Sequence, residues 1–280
     1  MDAEMMAMHA QDENDVELDV LLEAIYRTYH HDFRNYARAS LHRGVARAKS
    51  SLGSPTITHM LDRIVHDSGA FTDLLRYMTI QVSDFFRDPE YFRCLREKVI
   101  PHLATYPSLR IWVAGCGTGE EAYSIAILLH EEGLLGRSLI YATDIDAESL
   151  QTAEAGMYDI GRVQGFSENY FRAGGRASLS DYYTTAQSSV AFSSMLRKHV
   201  LFSDHSLATD AAFAEIQLVS CRNVLIYFDR ELQDRTIGLF RDSLCRRGFL
   251  GLGPKETLTF SDHAAAFEAL PDGQPIYRVK

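Results

Sequence analysis

The run Leu109-Arg110-Ile111-Trp112-Val113-Ala114-Gly115-Cys116-Gly117-Thr118-Gly119-Glu120-Glu121 decides the fold. Its apolar half is short enough for a buried strand and ends in glycines at alternate positions. After the acids comes Ala122-Tyr123-Ser124-Ile125-Ala126-Ile127-Leu128-Leu129, which reads as a helix with an apolar face. A strand, a tight glycine turn and a helix make the first crossover of a doubly wound parallel sheet, an α/β architecture whose ligands sit beyond the carboxyl ends of the strands. Glycine serves in such a turn because the backbone must take positive φ and let a ligand touch the main chain.

The residues just past the glycines narrow the ligand. Dinucleotide sites read G-x-G-x-x-G and leave the helix N-terminus open to a pyrophosphate. Here Gly115, Gly117 and Gly119 are spaced G-x-G-x-G, and Glu120 and Glu121 fill the first helical turn. Acids there complement the helix dipole themselves and repel phosphate. S-adenosylmethionine suits the turn better, since it carries a sulfonium, an ammonium and no phosphate. A purely structural turn is the usual explanation of three glycines alone. The strand before them and the acids after them put a cofactor ahead of it.

A chain of 280 residues with 46% hydrophobic content can bury a sizeable core in one or two domains. Its formal charge of −10 argues against nucleic acid as the main partner. Cys94, Cys116, Cys221 and Cys245 show no C-x-x-C spacing, so a reduced cytoplasmic protein without disulfides or zinc is expected. The start, Met1-Asp2-Ala3-Glu4, lacks the basic and apolar parts of a signal peptide. No apolar run is long enough to cross a bilayer, so no direct membrane insertion is expected.

Residues 1–15 are polar and Met-rich and read as a disordered tail. Helical spacing begins at Val16, and Phe33, Ala37, Leu41, Gly44 and Ala48 continue an apolar stripe on a second helix flanked by Arg34, Arg38, His42, Arg43, Arg47 and Lys49. No Asp or Glu occurs between Asp32 and Asp62. Such a run is either a solvated face or a docking face for an acidic partner. Two short amphipathic helices come next, near Ile57–Val65 and Phe71–Tyr77, so residues 16–78 read as a small helical domain. Residues 79–108 read as a linker with a helix that Asp88 caps and Pro89 opens.

After the central crossover, residues 138–144 read as a second strand ending in Asp144, where a doubly wound site holds ribose hydroxyls. Asp146 is the better candidate to cap the next helix. The strand–helix alternation lapses over residues 156–199, which read as an insertion of short antiparallel strands or loops. Strands resume at Val200 and at Ile216, Asp229 caps a helix from Arg230, and residues 248–253 pair with residues 276–279 to close the sheet.

Four stretches together resemble the CheR family, the S-adenosylmethionine-dependent glutamate methyltransferases of bacterial chemoreceptors. They are Thr79-Ile-Gln-Val-Ser-Asp-Phe-Phe-Arg-Asp-Pro89, Trp112-Val-Ala-Gly-Cys-Gly-Thr-Gly-Glu-Glu-Ala-Tyr-Ser124, Ala142-Thr-Asp-Ile-Asp146 and Ser220-Cys-Arg-Asn-Val-Leu-Ile-Tyr-Phe-Asp229, in family order, and the likeness covers residues 16–280. It implies a small all-helical domain before a Rossmann-like methyltransferase domain over residues 109–280, with residues 156–199 as a small β-subdomain. It further implies Arg87 and Tyr227 as the pair beside the transferable methyl, and Gln81, Ser83 and Arg87 at the methionine end of the cofactor. Glu120 and Glu121 would be cofactor carboxylates, with Asp144 on the ribose. Ser206 and Leu207 would lie on the adenine side, and Arg222 and Asn223 on another cofactor-contacting turn. Arg38, Arg43 and Arg47 would meet acidic receptor helices.

The expected reaction is an in-line transfer onto a glutamate carboxylate, already ionised at neutral pH and needing no general base. S-adenosylhomocysteine would be the product, and a monomer is expected. The competing readings are a non-catalytic cofactor-binding scaffold, a methyltransferase for another signalling protein, and a nucleotide-dependent oxidoreductase. Retention of both Arg87 and Tyr227 disfavours the first of these, and Glu120 with Glu121 disfavours the last.

Overall fold

The computed structural model describes residues 3–79, 83–271 and 273–280, with side chains from Asn14 onward. The chain forms two compact units. One comprises Met1–Ile80 and Tyr227–Leu232, and the other Gln81–Ile226 and Gln233–Lys280.

The first unit is helical, with α1 (Ala3–Tyr29), α2 (Arg38–Ser51), α3 (Ile57–His66) and α4 (Ser68–Met78). Helix α1 begins at Ala3, so the stretch read as a disordered tail is helical from that residue on. Helix α2 begins at Arg38 rather than Phe33. Asp32 accepts from the Arg34 N–H at 3.1 Å and pairs with its guanidinium, a local bond that competes with helix. Thr56 caps α3 through the His59 N–H. Gly44 is required on α2, since a Cβ there would meet the Tyr77 carbonyl oxygen at 2.7 Å. The segment at 227–232 is held by hydrogen bonds from Ala37 N–H to Tyr227 O (2.8 Å) and from Asp229 N–H to Asn35 O (2.9 Å).

The second unit opens with α5 (Pro89–Cys94), a π turn (Leu95–Val99) and α6 (Ile100–Leu103). Pro101 has no N–H for the carbonyl four residues back, and the Ile100 N–H bonds Leu95 O instead. The order then runs β1 (Leu109–Ala114), α7 (Glu120–Glu131), β2 (Ser138–Asp144), α8 (Ala147–Ala155), β3 (Met157–Asp159), α9 (Val163–Arg172), β4 (Tyr183–Ala186), β5 (Ser189–Phe192), α10 (Ser194–Arg197) and β6 (Val200–Asp204). It closes with β7 (Ile216–Cys221), α11 (Arg230–Ser243), β8 (Leu244–Leu252), β9 (Phe267–Ala269) and β10 (Ile276–Val279).

Seven strands make one sheet in the order β6-β2-β1-β7-β8-β10-β9. The first five are parallel, and β10 runs antiparallel to both neighbours. Connections lead from β1 outward to β2 and β6, then return to β7 and β8. The strand order therefore reverses between β1 and β7, which is where such sheets bind ligands. Residues 156–199 form the expected antiparallel sheet, ordered β3-β5-β4, together with α9, which the polar sequence did not announce. Arg247-Gly248 lies within β8, which therefore begins before residue 248. Arg247 takes φ 64° beside a register shift against β7, as in a β-bulge.

Candidate active site

Four parallel strands deliver their carboxyl ends to one edge of the sheet. Gly115–Gly119 comes after β1, Asp144 ends β2, Ser206–Leu207 comes after β6, and Arg222–Asn223 after β7. Hydrogen bonds tie three of these together. The Gly115 N–H donates to Thr143 O (2.8 Å), the Gly117 N–H to Asp144 Oδ2 (2.8 Å), and the His205 N–H to Asp144 O (3.2 Å). Gly115, Gly117 and Gly119 take φ of 70°, 52° and 92°, the left-handed region that glycine enters at least cost. A Cβ on Gly115 would also meet Val224 Cγ2 at 2.4 Å.

The acids differ from their sequence description. Glu120 is fully buried and already partnered, accepting from Thr118 Oγ1 (2.6 Å) and pairing with Arg162 of the insertion at 3.1 Å. Burial pushes its carboxyl pKa up, against those two donors. Glu121 accepts from Ser220 Oγ (2.6 Å) and pairs with Arg222 (3.0 Å). Neither acid therefore stands bare toward a cationic ligand. Asp144 has no Lys or Arg paired with it among the described residues, and its oxygens accept from the N–H groups of Gly117 and Asp146. Burial raises its pKa against those N–H bonds. Asp146 is the helix cap, accepting from the Glu148 N–H at 3.2 Å.

Arg222 is the hub of the edge. Its side chain is 1% exposed and donates to Glu121, to Arg87 O (3.0 Å) and to Asp88 Oδ2 (2.6 Å), with the guanidinium 4.2 Å from the Tyr91 ring centroid. Asp88 consequently does not cap α5 by its side chain. It takes φ 55°, and its carboxylate goes to Arg222. Phe86 also takes a positive φ, 52°, so Arg87 sits between two left-handed residues. Phe85 and Phe86 are fully buried, Phe85 stacked on Phe192 with ring centroids 4.3 Å apart, so these aromatics are packing anchors. The Ser83 carbonyl accepts from Arg162, while Gln81 lies outside the described residues. Around Ser206, its N–H donates to Asp210 Oδ2 (2.8 Å), and Arg235 donates to the carbonyls of Leu207 and Asp210. Tyr227 belongs to the helical unit. The Cys116 and Cys221 thiols are buried and pushed well up by burial, which suits packing residues and not nucleophiles.

On α2, Arg38, Arg43 and Arg47 are all exposed. Arg38 differs in its partners. Asp15 and Asp19 of α1 pair with it, and Asp15 also meets His42 at 2.7 Å, so the local lack of acids is made good by another helix.

Residues 81–272 match the CheR methyltransferase SAM binding domain, and residues 17–79 match the CheR methyltransferase all-alpha domain. The chain belongs to the CheR methyltransferase family. Among its relatives, "Putative methyltransferase Cher3" of Pseudomonas putida is 51% identical over 97% of this chain and 99% of its own. "Chemotaxis protein methyltransferase" of Listeria innocua is 31% identical over 72% of this chain and 75% of its own. "Chemotaxis protein methyltransferase 1" of Pseudomonas aeruginosa is 30% identical over 81% and 85%.

As a CheR protein the chain is an S-adenosylmethionine-dependent methyltransferase of the chemotaxis class. The residues present fit that donor. Asp144, at the end of β2 beside the glycine loop, presents a carboxylate that no Lys or Arg pairs with among the described residues, and it already holds the Gly117 N–H of that loop. No helix among the described residues is long and apolar enough to cross a membrane. Arg162, Ser220 and Glu256 also build this edge and were missed in the sequence. Ser220 sat inside a quoted motif, but Arg162 and Glu256 lie in stretches without periodicity or motif.

Proposed function

We propose that this CheR protein methylates glutamate side chains of a methyl-accepting chemoreceptor, forming glutamyl methyl esters that adjust receptor output. Bound S-adenosylmethionine supplies the methyl as an electrophile and departs as S-adenosylhomocysteine. The acceptor carboxylate arrives ionised, so no residue here has to remove a proton.

The observation that carries the proposal is the Arg87 turn, a cation-bearing backbone fixed by a buried arginine at the ligand edge of the sheet. A guanidinium orients a carboxylate by paired hydrogen bonds. Positioning of this kind is worth about 7–11 kcal/mol at best, when the carboxylate oxygen and the S–CH3 bond are in line. Asp144 would hold the ribose, since one carboxylate accepts two hydroxyl bonds at once. Gln81, Ser83, Glu121, Ser206, Leu207, Arg222 and Asn223 complete the donor site by the family resemblance, which also assigns Tyr227 to the transferable methyl. Exposed Arg43 and Arg47 would face acidic receptor helices.

The test is transfer of labelled methyl from S-adenosylmethionine to receptor cytoplasmic fragments from the same host, with mild base applied afterwards. Base-labile label on glutamate-containing peptides is expected. Tight donor binding without transfer to any receptor would move the proposal to a regulatory scaffold, and base-stable label would move it to another acceptor atom.

A further inference from the structure

Glu256 lies in the loop after β8 and is 7% exposed. Its Oε2 accepts from the N–H groups of Gly253 (2.6 Å) and Asn223 (3.0 Å), and its Oε1 from those of Val224 (2.8 Å) and Ile226 (3.4 Å). No Lys or Arg pairs with it among the described residues. A buried carboxylate is costly unless its lone pairs are filled, and here peptide dipoles fill them. Asn223 takes φ 61°, a conformation asparagine tolerates, and this helps aim successive N–H groups at one anion. The peptides of this turn are trans, as are all among the described residues, so aiming the 223 and 224 N–H groups at Glu256 turns the carbonyls of Arg222 and Asn223 the opposite way. Gly253 makes the arrangement fit, because a Cβ there would meet Glu256 Oε2 at 2.7 Å and Asn223 N at 2.8 Å.

We infer that Glu256 is a positioning residue for the methyl donor: by gathering these N–H groups it sets the backbone of the turn after β7 and orients that turn's carbonyls for the ligand. The inference rests on the proposed placement of the donor against Arg222 and Asn223. Glutamine at this position would remove the charge and set an NH2 against N–H groups that need an acceptor.

The test uses the full chain, with calorimetry on S-adenosylhomocysteine and amide hydrogen exchange over residues 223–226. Glu256→Gln should raise the Kd at least tenfold and speed exchange at these amides, while Glu256→Asp, which keeps the charge, recovers part of both. Val190→Ala, in the buried face of the small sheet, lowers Tm as a control and should leave the Kd unchanged. If Glu256→Gln does not fold, Gly253→Ala disturbs the same carboxylate from the other side and should give the same two effects. Unchanged exchange at 223–226 would overturn the anchoring role. Faster exchange with an unchanged Kd would overturn the placement of the donor on this turn, while leaving methyl transfer to receptors to stand or fall by its own assay. An equal rise in Kd for Val190→Ala would reduce Glu256 to a general stabilising residue.

Discussion

Arg87 stands between Phe86 and Asp88, whose φ of 52° and 55° cost about 1–3 kcal/mol each unless the surroundings hold them. Phe86 is held by burial and by its N–H bond to Ser124 Oγ (2.9 Å), Asp88 by Arg222. Arg87→Ala and Tyr227→Phe should each lower turnover at least tenfold while donor Kd changes by less; unchanged turnover in either variant removes its proposed role. Arg222→Met should destabilise the fold by about 3–5 kcal/mol in urea titrations, because it leaves the partly buried Glu121 and Asp88 without their cation. Asp144 must be ionised to accept two hydroxyls, and burial has raised its pKa. Donor affinity should therefore fall with acidification beginning above the ordinary aspartate range, whereas Asp144→Asn should bind weakly at all pH values, as read by calorimetry. These roles were only partly legible. Asp144 declared itself by ending a strand, but nothing local in Glu120-Glu121 tells that Arg162 and Arg222 compensate both acids, since those arginines arrive from distant segments.

Helix α2 shows the same division at the scale of an element. Its apolar spacing at Leu41, Gly44, Val45 and Ala48 is a buried stripe, as the periodicity requires. The arginines of the basic face are all exposed, but Arg38 is drawn to Asp15 and Asp19 of α1. Charge reversal at Arg43 and Arg47 should raise the acceptor KM severalfold with donor Kd unchanged. Reversal at Arg38 should lower Tm instead, by setting three acids together. Unchanged acceptor kinetics in the double reversal would return this face to simple solvation.

Across the sheet unit as a whole, the insertion is secured by a buried ion network and not by its strands alone. Arg96 pairs with Glu131 and Glu132, and Glu131 also accepts from the Tyr170 hydroxyl and the Arg176 N–H. Burial would raise the Glu131 pKa, but the Tyr170, Arg176 and Arg96 donors outweigh it and hold it below the ordinary glutamate value. A depressed folded-state pKa means this stabilisation is complete above the unfolded glutamate range and is lost as pH falls below that range through the lower folded-state value. Urea titrations from pH 6 to 3 should show a steeper stability loss for the native chain than for Glu131→Gln, which has no charge to lose.

The α/β class, the glycine elbow, the Asp144 strand end and most helices come from periodicity, caps and turn residues, which are local physics and legible in one dimension. The three-dimensional fold alone settles which charges compensate one another. Glu120 meets Arg162, Glu121 meets Arg222, and Glu256 gathers the amides of a loop some thirty residues earlier. Such pairings depend on which strand ends become neighbours, and a buried carboxylate takes whatever donors the folded chain brings within 3 Å or so of it.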